Sequence, residues 1–578
     1  MLRPPPLLPR GPDGPSRSLS PPPLLPRGPD GPSRSLSDKP RLRREFLAPI
    51  GFGAEEFPAK VANDGLETIR HPVSEYIERE GVENPTVIDV PKFWDHESFK
   101  KFGGVRSVLG NGDSHRMDNV AASLIGTKVS SRTTGTFLET IVVALASYRD
   151  WMCPFTVTNI LERARHPERL RVTIVDQIDL SEGSPDAKCT DPPVPCDEDP
   201  RQALCRYKDR IDVFTLNASV ANGPVFARHI GNRMYRGEYF FLQSDAHVEF
   251  VQDWDVDVIK QWRSTENEMA VLTSYVDEVD GYINKTTGER IRHTRPIMCE
   301  SGFENDGTGR HLRHGQQPDF VPNITGEPQM HPFWAAGFSF SRGHFVLNVP
   351  YDQHLPLVFQ GEEVNIGIRG FTYGYDYYAP ERNILYHYYR RPPNPLANAL
   401  QLKKEVAIPK FDDANDYDMN VAINAMMRLN GIIHMSGPKV RTSMWMHDEK
   451  AKYGIGNVRS PELFFDTFGI NLQNQTVKDN LCMFVATGEM HKMFKEVLRE
   501  NKMGIDYDKL DGFKFEDKWL QPGWWWHRGD PESKWYAEWV LGETPEEDDM
   551  VGSSEEEESN QEEEEEEGFD DRDYSEEI

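Results

Sequence analysis

Short apolar runs alternate with amphipathic stretches between residues 138 and 275. The first run, Leu138–Ser147 (LETIVVALAS), is unbroken and rich in β-branched side chains, which predicts a buried strand. Four later runs also predict strands: Arg169–Val175, Ile211–Leu216, Glu238–Gln243 and Met269–Tyr275. Three intervening stretches predict helices: Trp151–Arg165, Val220–Tyr235 and Trp254–Arg263. This alternation predicts an α/β fold with a mostly parallel central sheet and helices on both faces.

Both ends of the chain lack this patterning. Residues 4–20 (PPPLLPRGPDGPSRSLS) are repeated at 21–37, and a unit so rich in proline, glycine and serine predicts a disordered tail. The repeat is either a polyproline ligand for an aromatic groove or a recent duplication in a loose tail. Residues 546–578 hold nineteen acidic side chains and one arginine, which predicts a second disordered tail.

Composition and charge exclude several classes of protein. Residues 1–50 carry a net charge of +5 and residues 546–578 carry −18, so the middle of the chain holds −16 of the total of −29. This acidic middle argues against broad nucleic-acid binding, which requires basic surface. No run of 18 apolar residues is present, which excludes a membrane span. We therefore expect a cytoplasmic location, with an atypical secretory route as the alternative. Four N-x-S/T sequences bear on that alternative: Asn217, Asn284, Asn323 and Asn474.

The six cysteines are too few for a disulfide-built scaffold. Three of them, Cys189, Cys196 and Cys205, lie in an insertion rich in proline and aspartate. Their spacing lacks the short knuckle of structural zinc sites, although a zinc site remains possible. A disulfide requires that the protein meets an oxidising compartment.

Candidate chemistry follows the fourth predicted strand, in the sequence FFLQSDAH. Asp245 and His247 lie two residues apart at the end of an apolar strand, where they point the same way in extended backbone. A carboxylate and an imidazole can then share a divalent cation, which would neutralise a diphosphate. Asp113 and Asp352 begin the other two Asp-x-His sequences, but neither follows such a strand. The alternative for Asp245 is a helix cap or a surface turn.

Several ordered motifs carry a family resemblance: VVALASYRD (142–150), GPxxAR (223–228), EYFFLQSDAHVEF (238–250), WAAGFSFS (334–341), GEE (361–363) and YHYYR (386–390). On these residues the chain resembles the cytoplasmic hydroxyproline N-acetylglucosaminyltransferases, which modify a ubiquitin-ligase adaptor subunit. The resemblance runs from about Thr136 to Arg391 and extends through Tyr453–Ser460. Both tails and residues 38–135 lie outside it.

The resemblance implies a GT-A-type nucleotide-sugar-binding domain that uses a UDP-sugar and a divalent cation, typically manganese. Asp245, His247 and His387 would hold the metal. A lone histidine in an aromatic strand, as His387 is, would otherwise be structural. The implied transfer retains the anomeric configuration, and the leaving phosphate can take the acceptor proton, so no side chain is nominated as a catalytic base.

The resemblance also implies binding residues for the donor. Ser147, Tyr148, Arg149 and Asp150 correspond to the uridine pocket, although Asp150 could equally cap a helix. Arg228 would meet a phosphate or order the base pocket, or form a surface salt bridge.

Three further residues are implied for the sugar or acceptor. The Trp334 ring would stack on a ligand, with a buried core tryptophan as the alternative. Glu362 and Glu363 follow the predicted apolar strand Pro356–Phe359. One of them would accept hydrogen bonds from sugar hydroxyls and the other would be solvated, and which is which stays open.

The sequence therefore predicts a UDP-sugar-dependent hexosaminyltransferase that glycosylates a protein hydroxyl (hydroxyproline, serine or threonine), or else a catalytically inactive scaffold of the same fold. Six tryptophans between residues 519 and 539 are either an acceptor platform or a packing anchor. We predict five regions: a disordered tail at 1–50, an N-terminal extension at 51–135, the GT-A domain at 136–400, a mainly helical region at 401–543 and a disordered acidic tail at 544–578.

Overall fold

The structure is a computed structural model that describes residues 65–78, 87–94, 123, 125–131, 135–305, 308–315, 322–390, 416–435, 445–478 and 481–510. All of these residues belong to one unit, Pro49–Ile578. The tandem repeat, the acidic tail, Asp113 and the tryptophan-rich segment lie outside the described residues.

Eighteen strands lie in the described residues: β1 Leu66–Arg70, β2 Val87–Pro91, β3 Lys128–Ser130, β4 Phe137–Glu139, β5 Ile141–Tyr148, β6 Leu170–Ile178, β7 Ile211–Asn217, β8 Phe240–Asp245, β9 Val248–Phe250, β10 Ala270–Thr273, β11 Ser301–Asn305, β12 Arg310–His314, β13 Gln329–Met330, β14 Phe338–Arg342, β15 Asp376–Ala379, β16 Leu385–His387, β17 Ile470–Asn471 and β18 Thr476–Val477.

Twelve α-helices lie in the same described ranges: α1 Pro72–Glu78, α2 Cys153–Glu162, α3 Ala203–Arg206, α4 Pro224–Arg233, α5 Trp254–Ser264, α6 His344–Asn348, α7 Glu362–Thr372, α8 Asp416–Ile432, α9 Lys450–Tyr453, α10 Pro461–Thr467, α11 Leu481–Ala486 and α12 Glu489–Glu496. None of the described helices is long and apolar enough to cross a membrane.

Eight strands form the central sheet, in the order β13-β15-β10-β14-β8-β5-β6-β7. The β8, β5, β6 and β7 strands pair in parallel, as do β10 and β15. Only β14 and β13 run against the others in this sheet, since each pairs antiparallel with its neighbours. The predicted α/β class with a mostly parallel central sheet is confirmed.

The apolar run of β5 explains why this strand is central. Val143 and Leu145 face one core, together with residues of α2 and α5. Val142 and Ala144 face a second core on the opposite side of the sheet, with Tyr235. A strand covered on both faces has no polar side, so the sequence reads as a continuous hydrophobic run.

All six cysteines form disulfide bonds: Cys153–Cys189, Cys196–Cys205 and Cys299–Cys482. The zinc alternative for the insertion is therefore wrong, because its three cysteines are used as disulfide partners. The third bond joins residues 183 apart and ties the segment before β11 to α11. It links the sheet domain to the C-terminal region, whose described part is mainly helical, as predicted.

One predicted strand does not form. Residues 356–359 are a loop, and Leu357 there has a φ of +59°. A non-glycine residue in the left-handed region breaks an extended strand, and the preceding Pro356 cannot donate a ladder hydrogen bond. The loop leads to Gly361, whose φ of +98° turns the chain into α7.

Candidate active site

The carboxyl end of β8 places Asp245 beside two neighbouring strands. Asp245 pairs in register with Ala146 of β5, and β14 begins on its other side just after Gly337. A side chain at Gly337 would put its Cβ 2.9 Å from Asp245 Oδ2. Glycine at this position is therefore what allows the carboxylate to approach the backbone.

Two histidines meet Asp245 through a short antiparallel pair. In the pairing of β9 with β16, His387 lies opposite Val248, the residue after His247. The two imidazole rings are consequently 4.6 Å apart, and His387 Nε2 lies 3.5 Å from Asp245 Oδ2. One potential ligand atom from each of these three residues lies within 4.8 Å of the other two. The structure thus brings together all three sequence-predicted metal ligands.

Asp150 supports this cluster from the end of β5. Its Oδ2 lies 2.7 Å from His247 Nδ1, and its Oδ1 accepts a hydrogen bond from the Met152 amide at 2.9 Å. One carboxylate thus orients the imidazole and satisfies an amide just before α2. Each oxygen of the Asp150 carboxylate thus has a protein partner, one of which is the His247 imidazole.

Arg228 links the cluster to α7. The GPxxAR sequence explains its position, because Gly223 has a φ of +100° and Pro224 begins α4. Arg228 Nη2 donates to Asp245 Oδ1 at 2.7 Å, and Nη1 donates to both oxygens of Glu362 at 2.6 and 2.7 Å. Only 11% of the Arg228 side chain is exposed, which rules out the surface salt-bridge alternative.

The charge of this network determines the state of Asp245. Burial alone would raise the pKa of its carboxyl group, but Arg228, His387 and His247 outweigh burial and lower that pKa below its ordinary value. Burial would also lower the pKa of Arg228, but its nearby acidic partners, above all Glu362, raise that pKa above its ordinary value. Asp245 is therefore a carboxylate, the form that can bind a cation.

Glu362 and Glu363 have different surroundings. Glu362 is buried against Arg228, whereas Glu363 accepts hydrogen bonds from the Ala336 amide at 2.8 Å and from the Tyr275 hydroxyl. Burial of the Glu363 carboxyl group raises its pKa to about 7, and the two hydrogen bonds only partly oppose this rise. The two glutamates, whose order the sequence left open, are thus an ion-pair partner and a carboxyl group that titrates near neutral pH.

The residues predicted for the uridine pocket follow β5. Ser147 is buried, and its carbonyl accepts from Gln177 Nε2 at 3.2 Å. Arg149 has a φ of +49° and forms two hydrogen bonds to Asp186, at 2.7 and 3.0 Å. Burial raises the pKa of the half-buried Tyr148. The Asp186 contact ties this strand end to the insertion that carries Cys189.

A family profile described as Glycosyltransferase (GlcNAc) matches residues 140–474. This range is more than half of the chain and includes every residue of the cluster. The chain belongs to the glycosyltransferase (GlcNAc) family. The match also continues beyond residue 400, into the C-terminal region. No curated protein sequence matches this glycosyltransferase.

Solved structures give weaker similarities to the glycosyltransferase. GalNAc-T7 with UDP, GalNAc and Mn2+ matches at 13% identity and a TM-score of 0.34, over 59% of this chain and 58% of that one. S. aureus TarS matches at 13% identity and 0.27, over 53% and 46%. TarS 1-349 in complex with UDP matches at 14% and 0.27, over 43% and 60%. The chain thus spans less than two thirds of each of these three. The sheet topology and the family match together confirm the predicted GT-A-type fold.

Two aromatic positions differ from the sequence prediction. Trp334 is 1% exposed and donates from Nε1 to Ser339 Oγ at 3.0 Å, so this buried ring does not offer a stacking face, and the core alternative holds. The glycosyltransferase instead exposes Tyr389, whose ring lies 4.2 Å from that of His387. The sequence does indicate Tyr389, because this residue belongs to the YHYYR motif. No motif indicates Tyr275, whose hydroxyl donates to Glu363.

Proposed function

We propose that the protein is a retaining, metal-dependent glycosyltransferase. It moves a sugar, N-acetylglucosamine, from a UDP-sugar to a protein hydroxyl of hydroxyproline, serine or threonine. The observation that carries this proposal is the convergence of Asp245, His247 and His387 at the carboxyl ends of the central strands. Ligands bind at this edge in open α/β sheets.

The three residues fit a divalent cation by their chemistry. One carboxylate oxygen and two imidazole nitrogens suit manganese or a similar transition metal. Asp150 pairs with Nδ1 of His247, which leaves Nε2 as the ligand nitrogen, an arrangement common around metal-binding histidines. When bound, the cation would offset the charge of the UDP diphosphate. The Mn2+ in the GalNAc-T7 structure is that protein's own, and manganese is for this chain a proposal.

Donor binding is proposed for the two strand ends around this cluster. Ser147, Tyr148, Arg149 and Asp150 border the uridine side, with Asp150 acting through His247. Arg228 holds Asp245 and Glu362 in fixed positions, and its guanidinium adds positive charge near the diphosphate. Glu363 is the better candidate for a sugar hydroxyl, because Glu362 is occupied by Arg228.

The proposed step exchanges one bond for another at the anomeric carbon. The bond from C1 to the β-phosphate oxygen breaks, and the bond from C1 to the acceptor oxygen forms on the same face. The acceptor proton passes to the departing phosphate, so the products are UDP and the glycosylated hydroxyl. We nominate no side-chain base.

We propose an oxidising compartment in place of the cytoplasm. Its support is that all six cysteines form disulfides, which persist in secretory and extracellular proteins and are rare in the cytosol. This is the alternative that the sequence left open, and it makes a cytoplasmic acceptor a less suitable first choice than a secreted one.

UDP release from a panel of UDP-sugars, with and without manganese, tests the proposal. We expect manganese-dependent release from one donor, lost in Asp245→Asn and kept in Asp253→Asn, the same change at a partly exposed aspartate that pairs with Arg165. Peptides with hydroxyproline, serine or threonine then test the acceptor, and NMR of the product tests retention. If neither release nor UDP binding occurs, the inactive scaffold replaces the enzyme.

A further inference from the structure

Four N-x-S/T sequences occur in a chain whose cysteines are all oxidised, and they differ in how the fold presents them. We propose that Asn284 and Asn474 are acceptor sites for N-linked glycans. The proposal rests on the oxidising compartment proposed above and not on the transferase activity. N-linked glycans are added in the compartment where disulfides form, so the two features belong together.

Asn284 is the first residue of the turn that connects the bridged residues Ile283 and Arg290. Residues 284–287 are all exposed. Asn284 Oδ1 accepts hydrogen bonds from the Thr286 and Thr287 amides at 2.9 and 3.2 Å, which orders the side chain. Within the described residues nothing accepts from its Nδ2, the atom that would carry the glycan. The turn therefore presents an ordered amide to solvent.

Asn474 lies in the turn of the β17–β18 hairpin. The Asn474 amide donates to Asn471 Oδ1 at 2.9 Å, which fixes the turn while leaving its own side chain exposed. Thr476, the third residue of the sequence, is also exposed and opens β18. A glycan at this position would extend from a hairpin tip and would displace no packed side chain.

The other two sequences are less suitable. Asn323 Nδ2 donates to the Thr487 carbonyl at 2.7 Å, so a glycan on that nitrogen would have to be accommodated against the C-terminal region. Asn217 is half-buried at the end of β7, and its Oδ1 accepts from the Ser219 amide. We expect both to be unmodified, which makes them internal controls.

The chemistry needs a polyprenyl-diphosphate-linked oligosaccharide as co-substrate. The bond from its C1 to the diphosphate oxygen breaks as the bond from C1 to Asn Nδ2 forms. Nδ2 passes one proton to a basic group of the enzyme that catalyses the transfer, and the polyprenyl diphosphate leaves. The cell's own oligosaccharide-transferring enzyme catalyses this step on the chain; the residues of the proposed active site take no part in it.

Peptide mapping of the full chain from its source cells tests the proposal. Enzymatic release of glycans in heavy-oxygen water converts each glycosylated asparagine to labelled aspartate. We expect label at Asn284 and Asn474 and none at Asn217 or Asn323, with three disulfides in the unreduced map. Disulfides without label would overturn the glycan sites alone, and free thiols without label would overturn the compartment as well. Label at only one site overturns the other.

Paired variants separate these sites from any other modification. Thr286→Ala and Thr476→Ala should each remove one glycan-sized step in gel mobility, whereas Thr286→Ser and Thr476→Ser should keep it. A step that survives both alanine variants would overturn the assignment. None of these residues belongs to the proposed active site, so UDP release reports on the transferase proposal separately.

Discussion

Two Asp-x-His sequences lie in the described part of the chain, and their surroundings differ. In the first, at residues 352–354, both Asp352 oxygens are held by Arg428, whose Nε and Nη2 lie 2.8 and 3.1 Å away. The two nitrogens of His354 lie 2.6 Å from Glu75 and 3.1 Å from Glu449. Each side-chain oxygen of Asp352 and each ring nitrogen of His354 thus has a partner that can carry the opposite charge. These contacts connect α1, which holds Glu75, to the C-terminal region, which holds Arg428 and Glu449.

The second sequence, at the end of β8, is matched differently. His247 has a carboxylate partner on one nitrogen, Asp150, and its ring meets His387. Asp245 shares Arg228 with a second carboxylate. At residues 352–354 the Asp-x-His pattern thus forms a set of ion pairs with Arg428, Glu75 and Glu449, which we call the clasp. At residues 245–247 the same pattern forms a cluster of potential metal ligands. The partners brought by the fold decide which, so the site and not the pattern carries the function.

The largest expected difference between the two sequences is in metal binding. We expect His387→Ala to weaken Mn2+ binding by more than the roughly 10- to 100-fold loss that follows when a partner of a metal ligand is removed, because His387 would itself bind the metal. His354→Ala should leave Mn2+ affinity unchanged, because both of its ring nitrogens face glutamates, Glu75 and Glu449, that lie outside the proposed metal site. Electron paramagnetic resonance of free Mn2+ measures both. Equal losses in the two variants would contradict the distinction.

Removal of the charge on Asp352 should act on stability instead. Asp352→Asn leaves the buried Arg428 guanidinium without its counter-charge, which costs about 3–5 kcal/mol in the free energy of unfolding. The double variant Asp352→Asn/Arg428→Met should recover much of this loss, since the buried charge is gone. Urea unfolding measures both, and a double variant no more stable than the single one would show that the pair is not the cause.

The clasp should also make stability depend on pH. Burial would lower the pKa of His354, but Glu449 and Glu75 raise it from 6.5 to about 9. The folded state therefore favours the protonated ring. This contribution, about 3 kcal/mol, is fully present below pH 6.5 and is lost as the pH rises through about 9. Urea unfolding at several pH values checks it.

The control for that pH series is His354→Gln, which should flatten the alkaline decline. On the acid side, His354 and Lys452 overcome burial and lower the pKa of Glu449 to about 2. Its contribution is present above its ordinary value of 4.5 and is lost as the pH falls toward 2. An equally steep alkaline decline in the variant would assign the effect to another group.

The smallest expected effect concerns Asp150, the carboxylate that contacts Nδ1 of His247. Asp150→Asn keeps an oxygen for the Met152 amide but removes the charge from the imidazole. We expect Mn2+ affinity to fall by about 10- to 100-fold with little change in unfolding. Calorimetric titration with Mn2+ measures this, and an unchanged affinity would mean that Asp150 serves only α2.

Much of the fold follows from local pattern. The five predicted strands of the alternating region and its three helices all form, with ends that shift by a few residues. The apolar run at Pro356–Phe359 predicts a strand that does not form, because its hydrophobicity does not indicate the left-handed backbone of Leu357. Local composition reports burial well, but it does not report a backbone conformation that neighbouring segments impose.

The candidate site was only partly predictable. Asp245 and His247 lie two residues apart, so their common direction follows from strand geometry alone. His387 came from the family resemblance, and its place opposite Val248 depends on a pairing between distant strands. The Asp150–His247 and Arg228–Glu362 contacts join residues 97 and 134 positions apart, and no local pattern reports such pairs.

The Cys299–Cys482 bond has a consequence for how the protein is made. At a synthesis rate of about 5–20 residues per second, the 183 residues between the two cysteines take roughly 9–37 s to emerge. Cys153, Cys189, Cys196 and Cys205 all leave the ribosome before Cys299 does. For that interval Cys299 has no native partner, and it can exchange with four earlier cysteines. For the Cys299–Cys482 bond to form, Cys299 must therefore stay reduced, or be released again by thiol–disulfide exchange, until Cys482 in α11 has been synthesised.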